Sequence, residues 1–236
     1  MSGSVRAWSA THPGSVRTKN EDACLCRPEI GLFAVADGVG GHGGGDMAAR
    51  QVMAMLGAIP DDLSPAGRLA AVRAGLQRAH AHLQSVAKRS TIGPATTVVV
   101  LMLHGSYFAC LWAGDSRAYL LRAGRLHPLT RDHSVVQDLV TAGTLTEAQA
   151  QCDPRQNIIT RAVGAGQEDL LVEKMVGQVL PDDLFLLCTD GLYKTLEPTR
   201  FADVLTHGAG DVAERLVQAA LSGYARDNVT AVVVAP

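Results

Sequence analysis

The chain has 236 residues, of which 47% are hydrophobic and 19% charged, with 21 basic against 23 acidic side chains. That length accommodates one domain, residues 1–236, with a substantial core. A net charge of −2 offers no counterpart to a polyanion, so nucleic acid and anionic membrane surfaces are excluded as general partners.

The N-terminal stretch MSGSVRAWSATHPG has no apolar leader, and the longest apolar runs, such as Thr97 to Leu103, are far too short to span a bilayer. The expectation is a cytoplasmic monomer with no membrane contact. Gly31 to Ala36 (GLFAVA) predicts a buried strand that runs into Asp37 and then into the glycine-rich stretch VADGVGGHGGGD. Asp46 to Leu56 repeats Ala, Met and Val on one face and predicts a helix. Ser64 and Pro65 suit an N-cap and a first helical position, opening a helix to about Ala87. A meander follows, with strands at Thr96 to Leu103, Tyr107 to Ala113 and Arg117 to Arg122. Its turns fall at His104 to Ser106, Gly114 to Ser116 and Ala123-Gly124, and links this short predict antiparallel neighbours throughout. Asp132 to Cys152 reads as polar and mainly helical. Leu184 to Thr189 and Val229 to Val234 read as buried strands, with a helix from about Asp211 to Tyr224 between them. The strands cluster without regular βαβ alternation, which predicts an α+β fold of antiparallel sheets covered by helices.

The five cysteines, Cys24, Cys26, Cys110, Cys152 and Cys188, are odd in number and scattered. Cys24 and Cys26 have no second pair to complete a zinc site, so free thiols, mostly buried in strands in a reducing cytoplasm, are expected. Gly38, Gly40 and Gly43 fit G-x-G-x-x-G, the dinucleotide fingerprint. The acidic residue roughly twenty positions on, Asp61, follows Ala58-Ile59-Pro60 and precedes a helix start, whereas that fingerprint wants it at the end of a second parallel strand. A phosphate-binding loop would need Gly-Lys-Ser/Thr, which is absent. A metal site is better supported. Asp recurs where a strand meets a turn: Asp37, Asp115, Asp190 and Asp227, with Asp22 near the N-terminus. One such Asp is ordinarily a turn or capping residue. Five in one chain suggest carboxylates converging on a hard divalent cation, which takes oxygen ligands.

The set Arg17-x-x-Asn20-Glu21-Asp22, Val35-Ala36-Asp37-Gly38 with Gly40-Gly41-His42, Gly114-Asp115-Ser116-Arg117, Thr189-Asp190-Gly191 and Arg226-Asp227-Asn228-Val229-Thr230 resembles the metal-dependent type 2C protein phosphatases, the PPM family. Order and spacing agree from about residue 4 to the C-terminus, and the match is to the compact bacterial members. In these, Asp132-His133-Ser134 and Asn157-x-x-Thr160-Arg161-Ala162-x-Gly164 bracket a flap, here about residues 131–161. The resemblance implies a four-layer α-β-β-α sandwich, two antiparallel sheets flanked by helices. It implies hydrolysis of phosphoserine and phosphothreonine in proteins with Mn²⁺ or Mg²⁺, two ions and a third in bacterial members. By position, Asp37 would bridge two metals and Gly38 would offer its carbonyl. Asp190 and Asp227 would bind one metal, Asp22 would act mostly through a water on the metal, and Asp115 with Asp190 would match the third site. Arg17, a planar and permanently charged fork, would hold the substrate phosphate. The phosphorylated protein would be a Ser/Thr kinase or its target.

Two positions depart from the family pattern. Val39 stands where many eukaryotic members carry a His proposed as general acid. His42 nearby is read as a supporting residue instead, and His12, His80, His82, His104, His127, His133 and His207, which lack metal-ligand spacing, as surface or structural residues. Ala95 replaces the usual glycine before Thr96-Thr97 and fits if its φ is negative. Lys19 is read as solvated. A phosphatase-like module that binds a phosphoprotein without hydrolysing it is the alternative, and the intact acidic set argues against it. The flap would gate substrate entry or be a plain surface insertion.

Overall fold

The computed structural model describes residues 5–39, 44–87, 93–166, 168–207 and 210–236. The elements in chain order are β1 (Arg6–His12), β2 (Ala23–Arg27), β3 (Leu32–Ala36), β4 (Gly38–Val39), α1 (Gly45–Gly57), α2 (Pro65–Ala87), β5 (Ala95–Thr96), β6 (Val98–His104), β7 (Tyr107–Ala113), β8 (Arg117–Arg122) and β9 (Arg125–Pro128). They continue with α3 (Val135–Thr141), α4 (Glu147–Cys152), β10 (Glu173–Gln178), β11 (Leu184–Cys188), α5 (Asp190–Tyr193), α6 (Pro198–Thr206), α7 (Val212–Ser222) and β12 (Val229–Ala235). The strands make two five-stranded antiparallel sheets, ordered β1-β12-β11-β8-β9 and β10-β7-β6-β3-β2, and a small pair, β4-β5.

Side-chain alternation sorts these sheets into layers. Leu32, Ala34 and Ala36 of β3 pack with Val52, Leu56, Leu76 and Leu83 of α1 and α2. Phe33 and Val35, one residue out of step, meet Phe185, Leu187, Val232 and Val234 of the opposite sheet. The other faces of β11 and β12, through Leu186, Val229 and Val233, receive Phe201 of α6 and Leu216 of α7. The order is therefore helix, sheet, sheet, helix, as expected. Phe108 and Phe185 close the middle layer edge to face, with ring centroids 5.1 Å apart. Ser64 caps α2 as anticipated, its Oγ accepting from the Gly67 N–H at 3.1 Å. No helix among the described residues is long and apolar enough to cross a membrane.

Two local expectations are corrected. The strand read from Thr96 to Leu103 breaks at Thr97, and Ala95-Thr96 pairs with Gly38-Val39 instead. Thr97 leaves the ladder because it holds Asp37: its N–H donates to the Asp37 carbonyl at 2.9 Å, and its Oγ accepts from the Asp37 N–H at 3.0 Å. Ala95 does not have positive φ, so it replaces glycine without strain. The second correction concerns Gly114 to Ser116. Strands β7 and β8 are not antiparallel neighbours but lie in different sheets. Gly114 has φ +115°, and a Cβ there would meet Thr97 Cβ at 2.6 Å, so only glycine carries the chain across at this point.

The flap leaves and re-enters at one place. The His133 N–H donates to the Gly114 carbonyl, the Thr160 N–H to the His133 carbonyl, and Ser134 bridges Ile159. Between these ties lie α3, capped by Ser134, and α4, opened by a Thr146–Gln149 capping box.

Candidate metal centre

Strand β3 ends at Ala36 and delivers Asp37 to the mouth between the sheets. Its carbonyl accepts from the Thr96 hydroxyl at 2.8 Å as well as from Thr97, so the backbone there is pinned on both sides. Gly38 follows because nothing larger fits. A Cβ would lie 2.4 Å from the Gly45 carbonyl carbon and 2.5 Å from the Glu21 carbonyl oxygen. Helix α1 thus begins directly against Gly38. Gly40, Gly41 and His42 lie outside the described residues, and the supporting role read for His42 with them.

Asp22 joins the two sheets. It precedes β2, while its Oδ2 accepts from the hydroxyls of Thr189 at 2.8 Å, just past β11, and of Thr230 at 2.7 Å in β12 of the opposite sheet. Its Oδ1 is buried and has no hydrogen-bond partner. Burial pushes the Asp22 carboxyl up to about 7; the two hydroxyls hold it down, and Asp190 and Asp227 push it up. Asp37 is raised well above the ordinary carboxylate range by burial, then by Asp22, Asp190, Asp115 and Asp227 in turn. Asp115 is pushed up to about 7 by burial and then by Asp190, against the pull of Lys194. Five of the predicted acidic residues therefore share one field.

Asp190 opens α5, and its Oδ2 accepts from Lys194 Nζ at 2.6 Å. Asp227 sits at the rim, 44% exposed, where Arg17 donates to its Oδ2 at 2.7 Å. Like charges in one pocket hold each other off. Among the described residues no three of His, Cys, Asp and Glu close into a coordination group; Asp22, Asp190 and Asp227 take Thr, Lys and Arg as partners instead. The donor set is nonetheless suited to a hard divalent cation. Every donor is oxygen, one buried carboxylate oxygen lacks a partner, and Gly38 presents its backbone without a side chain. Two surface grooves of about 430 and 460 Å³, one beside α6 and α7 and one beside α2 and β10, involve none of these aspartates.

Other residues of the site carried no predicted role. Asn228 accepts from the Glu21 N–H at 2.8 Å and donates to the carbonyls of Pro13 at 3.0 Å and Lys19 at 2.8 Å, so it holds the loop that carries Arg17. Thr189 and Thr230 hold Asp22, and Lys194 holds Asp190. A polar Thr230 inside the apolar run NVTAVVV was the available signal for one of these. Two histidines prove structural: His80 Nδ1 accepts from the Gly164 N–H, and His133 Nδ1 from the Gly114 N–H.

Two antiparallel sheets deliver carboxylates from their strand ends to one shared field, an arrangement suited to hard divalent cations. The protein phosphatase 2C family model matches residues 14–224. The serine/threonine protein phosphatase PstP of Mycobacterium tuberculosis is 36% identical over 236 residues, which cover 97% of this chain and 44% of PstP. The chain thus spans less than half the length of that relative. Among solved structures, PppA, a key regulatory component of T6SS in Pseudomonas aeruginosa, superposes with a TM-score of 0.89 at 40% identity, over 98% of this chain and 97% of that one. The catalytic domain of PstP, solved in complex with two manganese ions, superposes with a TM-score of 0.83 at 32% identity, over 98% and 97%. This chain belongs to the protein phosphatase 2C family.

Proposed function

We infer that the chain is a protein serine/threonine phosphatase, working as one monomeric catalytic domain with a pair of Mn²⁺ or Mg²⁺ ions. The observation that carries this reading is the buried, half-satisfied Asp22 among Asp37, Asp115, Asp190 and Asp227. A carboxylate oxygen without a donor in a field of like charge calls for a cation. Asp37 with the Gly38 carbonyl would hold both ions, Asp190 and Asp227 would complete one of them, and Asp22 would support the set from behind. Asp115 with Asp190 would offer a further, weaker position. When bound, the ions supply an acidified water and neutralise the phosphoryl oxygens.

The chain's own groups do the rest. Arg17 is 58% exposed and presents its guanidinium beside Asp227, placed to receive a phosphate at the mouth. Asn228 keeps that loop at a fixed distance from Asp227. Val39 offers no proton to the leaving alcohol. The free cysteines suit a reducing cytoplasm, where a Ser/Thr kinase or its target would be the phosphoprotein. Purified chain with Mn²⁺ should release phosphate from phosphoserine and phosphothreonine peptides and leave phosphotyrosine peptides intact. Release from phosphotyrosine alone, or from none of the three, would sink the reading.

A further inference from the structure

We propose that the Lys194 ammonium is the built-in counter-ion of the Asp115–Asp190 carboxylate pair and keeps a divalent cation from binding that pair tightly. The proposal rests on the metal-centre reading above and concerns one edge of it. Lys194 directly follows α5, four residues after Asp190. Its Nζ donates to Asp190 Oδ2 at 2.6 Å and to Asn157 Oδ1 at 2.8 Å. The side chain is only 32% exposed, so its stem is packed while its head sits between the start of α5 and the flap. Its neighbour Tyr193 reaches the other carboxylate residue, donating from its hydroxyl to the Asp115 carbonyl at 2.9 Å. One turn of chain therefore binds both aspartates of the pair.

The charges point the same way. Asp115 is buried, with Asp190 the anion that pushes on it most and Lys194 the cation relieving it. Two carboxylates in such a place need positive charge beside them. An ammonium brings one compact unit with three donors, and here two of those donors reach Asp190 and Asn157. An ion held by both Asp115 and Asp190 meets a carboxylate whose Oδ2 the ammonium already holds, with a positive charge beside it. The lysine and the ion compete for the same negative charge. Because Asn157 belongs to the flap, the bond that guards the pair also ties the flap to α5.

The test is Mn²⁺ binding to the full chain, with stoichiometry and affinities from calorimetry and bound metal from mass spectrometry. Lys194→Met keeps the stem and removes the charge; Lys194→Gln keeps a donor and serves as a second variant. Both should bind one further Mn²⁺ per chain than wild type, or bind the weakest ion tighter by about tenfold or more. Adding Asp115→Asn to either variant should abolish the gain. Unchanged stoichiometry and unchanged weakest affinity in both variants would overturn the proposal, as would a gain that survives Asp115→Asn. A wild-type chain that binds no Mn²⁺ at all is a different result and overturns the metal-centre reading itself.

Discussion

Burying Asp22 between Thr189 and Thr230 satisfies one of its oxygens and leaves the other without a donor. That geometry sets a pH dependence with a definite sign. The Asp22 and Asp115 carboxyls rise from 3.8 to about 7 in the folded chain. Below the unfolded value both states bind the proton and nothing is lost. Between about 4 and 7 the unfolded chain has released its protons and the folded one has not, so stability falls as pH rises. In EDTA, thermal unfolding should therefore shift to lower temperature from pH 5 to pH 8, and Mn²⁺ at pH 8 should reverse the shift. A melting temperature that ignores both pH and Mn²⁺ would refute this. Asp22→Asn should stabilise the EDTA-treated chain at pH 8, on the order of 1–2 kcal/mol, while lowering phosphatase activity. Arg17 makes a separate prediction. Arg17→Ala should lower kcat/KM for a phosphopeptide by about 10²-fold, and Arg17→Lys should recover little, because a point charge does not replace a fork. The aspartates were legible in the sequence because each stands where an apolar run stops. Their partners were not. Lys194 looks like an ordinary surface residue until the flap is folded beside it.

At the scale of elements, the flap is held by side chains that the sequence marked only as a motif. Arg117 donates from Nε and a terminal nitrogen to the two Asp132 oxygens at 2.9 and 2.8 Å, a fork-to-fork pair at the flap's base. Next to it His133 accepts from Gly114 through Nδ1, so its proton is on Nε2, facing Glu173 Oε1 at 3.0 Å. The ring lies near-parallel to Trp112, with centroids 6.2 Å apart. Burial holds His133 below its ordinary value, with Glu173 the main opposing influence. His133→Ala should cost about 1–3 kcal/mol by leaving the Gly114 N–H without its partner. If the flap touches the protein substrate, the same variant should raise KM for a phosphoprotein more than for a small phosphate ester. An equal effect on both would place the loss in the metal centre instead. Strands β3, β6, β11 and β12 were readable because both faces are buried and the runs are apolar. Strands β1, β2, β9 and β10 are the edges of the two sheets, with mixed faces, RAWSATH and EKMVGQ among them, and their period is blurred by exposure. The sheet change at Gly114 was hidden for another reason: a short turn signals a hairpin unless the glycine's close neighbour is known.

For the whole molecule, function depends on two sheets staying in register across their shared layer. Phe33, Phe185 and Val232 fill that layer, fully buried. Asp22 reaches from one sheet to hydroxyls of the other, so the site is assembled only when the layer is packed. Phe185→Ala should cost about 3–5 kcal/mol in denaturant unfolding, since the cavity lies between two rigid sheets. The measurement that bears most directly on the account is hydrolysis of p-nitrophenyl phosphate by wild type and Asp190→Ala, each with EDTA, Mg²⁺ or Mn²⁺. The account predicts turnover by wild type with Mn²⁺ or Mg²⁺, none with EDTA, and a loss of about 10²-fold or more in Asp190→Ala. Turnover that persists in EDTA, or an Asp190→Ala variant as active as wild type, would contradict it.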